Sequence, residues 1–74
     1  MKLYLLSQDV NPGYDTYDSC VVAAMDEDSA RVISPSAYSS ETSWCNPADV
    51  NVECIGIAND GTVEGVICAS FNAG

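Results

Sequence analysis

The sequence holds no histidine, and its cationic side chains number only two, Lys2 and Arg31. Without an imidazole there is no Ser-His or Cys-His pair to assemble, and neither Ser70 nor Cys68 has a base beside it in the chain. The same absence removes the usual nitrogen ligand of a mixed zinc site. With so few Lys and Arg, the counterion release that drives binding to DNA, RNA or an anionic membrane face has nothing to draw on. The longest apolar runs, 3–6 and 20–25, fall far short of the roughly 20 residues of a spanning helix. The opening Met1-Lys2-Leu3 meets Gln8 and Asp9 too soon to be a secretory signal. These absences predict a non-enzymatic cytoplasmic protein with no catalytic residue, metal or cofactor, and with no direct contact to nucleic acid or membrane.

What is abundant is negative charge. Eleven Asp and Glu give a net charge of -9 over 74 residues, and without histidine that balance barely moves between about pH 6 and 8. A basic protein surface is the complementary partner. The hydrophobic fraction of 47% is ordinary for a folded chain, and the length suits one core, so residues 1–74 form a single small acidic domain. Cys20, Cys45, Cys54 and Cys68 lack close paired spacing. Cys20, Cys54 and Cys68 sit in apolar strand-like runs and read as small core residues of a reducing compartment.

Residues 2–7 (KLYLLS) read as a first strand, buried on both faces, and 9–18 (DVNPGYDTYD) as a long loop of turn-forming residues. Residues 19–25 (SCVVAAM) return as its hairpin partner. A short helix over 27–33 follows: Asp26 is its N-cap, Glu27 and Asp28 favour the positive end of its dipole, and Met25 is placed to staple against Ala30. Ser34-Pro35 ends it, leaving Ala30 and Ile33 to face a sheet. Residues 34–49 form a second long connection, in which Asn46-Pro47 suits a turn or a single helical turn. Alternation over 50–54 predicts a strand, with Ile55 and Gly56 breaking phase as a bulge would. Asn59-Asp60-Gly61 then reads as a hairpin turn into a returning strand over 66–71 (VICASF). The predicted fold class is α+β, a two-layer ββαββ arrangement: a four-stranded, mostly antiparallel sheet with one short helix packed on one face.

The candidate binding residues lie in the two long loops. Asp9, Tyr14, Asp15, Tyr17 and Asp18 occupy the first, and Tyr38, Glu41 and Trp44 the second. Tyr and Trp give large contact area at low entropic cost, while carboxylates steer encounter with a basic patch. Trp44 has a second reading, as a buried cap on the sheet. If Asp9, Asp15, Asp18, Asp26 and Asp28 fall along one edge, they imitate a phosphate backbone. A calcium loop starting at Asp9, with Asn11, Asp15 and Asp18, fits poorly, because Tyr14 stands where glycine is needed and Cys20 where glutamate is needed. The Asp26-Glu27-Asp28 run is accounted for by the helix start.

The stretches MKLYLLSQ, GYDTYDS and GVICASFNAG resemble those of small uncharacterised proteins encoded by phages and prophages. That family implies no activity and no site residue. In size and charge, though not in motif, the chain is similar to anti-CRISPR and other anti-defence inhibitors. The expected function is therefore a protein-binding module, an inhibitor that occupies a basic nucleic-acid-binding surface of a host complex, acting in the host cytoplasm. The alternative is a small structural or assembly protein of a phage particle or accessory complex, in which an exposed edge strand over 66–71 pairs with another chain or with another copy as a homo-oligomer.

Overall fold

Two strands from the first third of the chain lie side by side at the centre of the sheet, in a computed structural model that describes residues 1–36 and 43–72. They are β1 (Lys2–Ser7) and β2 (Thr16–Ala24), paired antiparallel with Leu5 opposite Val21 and Leu6 opposite Cys20. β3 (Asn51–Ile57) flanks β1 and β4 (Gly65–Asn72) flanks β2, also antiparallel, so the sheet order is β3-β1-β2-β4. One short helix, α1 (Glu27–Arg31), touches β1, β2 and β3. This is the expected two-layer α+β fold.

Alternation places Tyr4, Leu6, Cys20, Val22 and Ala24 on one face of the central hairpin. There they form the core with Ala30, Trp44, Cys45 and Val50. Leu3, Leu5 and Ser7 occupy the opposite face and are half-buried, so β1 is fully buried on one face only, a correction to the expectation of two. A single five-residue helix can cover only one side of a sheet.

Local chemistry accounts for α1. Asp26 Oδ1 accepts the Ser29 N–H at 2.8 Å, and the Arg31 guanidinium, in the last turn, donates through Nη1 to the carbonyls of Pro47 (3.1 Å) and Val50 (2.6 Å). That pair of bonds ties the helix to the start of β3 through a 3-10 turn at Pro47–Asp49. Ala30 is buried and Ile33 packs against the core, as their spacing predicts. The staple to Met25 is not made: Ala30 is wholly enclosed against the sheet, while Met25 stands exposed. The bulge at Ile55 is present, since Leu3 and Tyr4 face Gly56 and Cys54 with one β3 residue to spare.

The returning hairpin is where expectation fails. Residues 59–62 do turn, with Thr62 N–H donating to the Asn59 carbonyl at 3.1 Å and Gly61 at φ 86°, but β3 and β4 lie at opposite edges of the sheet. Gly61 alone has positive φ, as a type II turn requires; the hairpin-forming type I′ needs it at Asp60 as well. Residues 58–64 instead run from one edge of the sheet to the other, at the end where β1 starts and β2 finishes. Three strand spacings are about 14 Å, well within the roughly 23 Å reach of such a segment. The arrangement leaves β3 and β4 as the edge strands. For the same reason Cys54 and Cys68, expected in the core, are exposed on β3 and β4, whereas Cys20 and Cys45 are buried.

Candidate functional site

Two segments meet at the end of the sheet where β1 gives way to β2. The buried side chain of Gln8 closes the first: its Nε2 donates to the carbonyls of Tyr17 (2.8 Å) and Asn11 (3.2 Å), and its Oε1 accepts the Asn11 N–H at 2.8 Å. Thr16 Oγ1 and Asn72 Nδ2 both donate to the Gly13 carbonyl, at 2.8 and 2.6 Å, and Asp15 N–H donates to the Asn72 carbonyl. The second segment is stitched on by Asn11 Nδ2 to the Trp44 carbonyl (2.6 Å) and by Tyr17 N–H to the Ser43 carbonyl (2.7 Å). The polar backbone of a long loop is thereby satisfied from both strands and from the second loop, which holds the loop in one shape.

From that base the loop tip projects Tyr14, 76% exposed, beside Asp15, which adopts the left-handed conformation at φ 59°. An aspartate tolerates that region better than most side chains, and Gly13 before it, at φ 118°, needs no Cβ. Asp9 and Asp18 are exposed at the same end. Asp18 occupies a bulge, the extra β2 residue between Tyr17 and Ser19, which turns its carboxylate out of the ladder.

Two of the aromatic candidates are placed differently. Trp44 is only 3% exposed and belongs to the core, so its ring covers the sheet and is not offered to a partner. Tyr17 is half-buried, packing on the core and against the Phe71 ring with centroids 4.8 Å apart at 57°. Tyr38 and Glu41 lie outside the described residues. The structure thus brings together Asp9, Tyr14, Asp15 and Asp18 as exposed groups, with Tyr17 and Trp44 as their foundation. Sequence reasoning missed Gln8, Asn11 and Asn72 as the residues that position this tip. A lone amide after a strand gives no local signal of what it will bond.

The carboxylates do not form one row. Asp9, Asp15 and Asp18 lie at the Tyr14 end, whereas Asp26 follows the other end of β2, about 20 Å from Asp18 at 3.3 Å per residue. Of the carboxylates expected to imitate a phosphate backbone, Asp9, Asp15 and Asp18 share one end of the sheet, while Asp26 and Asp28 start α1 after the other end of β2. Among the described residues there is no pocket, no cluster of three or more His, Cys, Asp or Glu that could hold a metal, and no helix long and apolar enough to cross a membrane. Comparison with protein-family models, curated proteins and solved structures finds no match.

Proposed function

We propose that this chain is a non-enzymatic protein-binding module, an inhibitor that sets its loop end against the basic, nucleic-acid-binding surface of a host complex. The phage and prophage resemblance of its sequence is in keeping with that role. The observation that carries the reading is the Tyr14–Asp15 tip, a fully presented aromatic next to a carboxylate on a loop whose conformation is fixed by internal hydrogen bonds. Preorganisation lowers the entropy lost on binding, tyrosine is a favoured hot-spot residue, and the net charge of -9 steers encounter with a cationic partner.

The test is capture of partners from a bacterial lysate by the tagged protein and by the Tyr14→Ala/Asp15→Asn variant, at low and at moderate salt. The expected result is a nucleic-acid-binding complex held by the parent at low salt, shed as salt rises, and absent from the variant, whose affinity falls by about 30-fold or more if Tyr14 is a hot spot. Equal capture by the variant overturns the reading.

A further inference from the structure

β4 is an edge strand with its outer side unpaired among the described residues, and none of its eight residues is charged or proline. Edge strands that stay solitary usually carry such guards; β3, at the other edge, carries Glu53 and touches α1. Val66, Ile67 and Phe71 are 38–52% exposed along β4. A row of free backbone N–H and C=O groups beside half-exposed apolar side chains is complementary to one kind of object, another extended strand.

Charge decides which strand. Glu64 stands immediately before Gly65 at one end of β4. At the other end are Asp15, bonded through its backbone to Asn72, and Asp18, in the bulge that faces the Phe71–Ser70 step. A second copy of this chain fits badly. Paired antiparallel, it sets Glu64 against the other copy's Asp15 and Asp18, and paired parallel it sets each carboxylate against its own counterpart; like charges brought opposite each other destabilise a ladder. We infer that β4 is a docking edge for an extended segment of another protein, with an apolar centre and basic residues at both ends, about 26 Å apart. Ile67 is an extra residue opposite the Val21–Val22 step, so the regular ladder available is 68–72, a usual strand length. This deepens the binding-module reading, since Tyr14 and Asp15 stand at the end of the same strand, and it defines the chemistry of the partner segment.

The probe is a labelled synthetic peptide of alternating threonine and valine with two lysines at each end, titrated into the full chain by fluorescence anisotropy, with amide exchange followed by NMR. Binding is expected to slow exchange in β4. It should weaken by about fivefold in the Asp15→Asn/Asp18→Asn/Glu64→Gln variant, as for a few exposed ion pairs, and should be lost when glutamates replace the peptide's lysines. Absence of peptide binding, equal binding of the glutamate-ended peptide, or protection mapping to other strands overturns the inference. So does a dimer of the chain alone with β4 protected, which would give the edge to a second copy. A peptide that fails while lysate capture still depends on Tyr14 removes the β4 edge and leaves the loop reading standing.

Discussion

The side-chain amide of Gln8 donates to the Tyr17 carbonyl at 2.8 Å across the mouth of the β1–β2 loop, joining the last turn of one strand's path to the first residues of the next. The same amide also serves Asn11 through both its oxygen and its nitrogen, and it is 7% exposed. Gln8→Ala therefore strands buried backbone groups, and stability is expected to fall by about 1–3 kcal/mol in urea titration. Amide exchange over residues 9–15 should quicken by more than that of β1 or β2, because the loop loses its brace while the ladder remains.

Asp26 caps α1, and its pKa lies below the ordinary carboxylate value because the ionised group accepts the Ser29 backbone N–H and then the Ser29 hydroxyl. A carboxylate with a depressed folded-state pKa contributes stability that is present above its unfolded pKa and lost as pH falls through the folded one. Asp26→Ala should thus melt below the parent at pH 7, and the gap should close on acidification through that range. Asp26→Asn, which keeps an acceptor at the cap, should recover most of the neutral-pH difference. A gap between parent and Asp26→Ala that is constant with pH would exclude the ionised cap as its source.

Much of this was legible beforehand. The apolar runs marked β1 at its observed bounds, Asp26 marked the start of α1, which ends at Arg31, two residues short of the expected Ile33, and the phase break at Ile55-Gly56 located a true bulge. These signals are local and act within a few residues. The start of β2 was misread because Thr16, Tyr17 and Asp18 resemble a turn until Phe71 and Asn72 pair with them. Pairing of β3 and β4 was misread for a related reason: Asn59-Asp60-Gly61 announces that the chain bends, and only the unpaired edges of β1 and β2 decide where each strand goes. At the site, Tyr14 and Asp15 were legible as exposed loop residues. Trp44 was legible only as a choice between a partner contact and a buried cap on the sheet, and its burial selects the cap, because that outcome depends on a sheet face that no short window encodes.

The four thiols divide by position in the sheet. Burial, reinforced by the nearby Cys68, pushes Cys20 up to about 11 from an ordinary 9.0, and burial, reinforced by the Asp49 carboxylate, raises Cys45. Cys54 and Cys68 lie exposed on the edge strands. Alkylation of the native protein at mildly alkaline pH, read by peptide mass mapping, should label Cys54 and Cys68 and spare Cys20 and Cys45. A raised thiol pKa contributes stability that is intact below the unfolded value and lost as pH rises through the folded one. Stability should therefore decline from about pH 9 towards 11, and Cys20→Ala should show a shallower decline.

Tyr14 and Tyr17 are three residues apart and separate the two demands on the loop. Tyr14 projects from the tip into solvent, so Tyr14→Ala should leave stability within about 0.5 kcal/mol of the parent, as surface substitutions do. Tyr17 packs on the core and on Phe71, so Tyr17→Ala should destabilise by about 2–4 kcal/mol and loosen the outer end of β4 with it. Thermal melts and amide exchange of the two variants distinguish them. The contrast bears on binding: a partner lost through Tyr14→Ala at unchanged melting temperature has lost a contact, whereas one lost through Tyr17→Ala has lost the platform on which the contact stands. If both variants melt alike, Tyr14 is part of the fold, and its exposure no longer marks it as the group a partner touches.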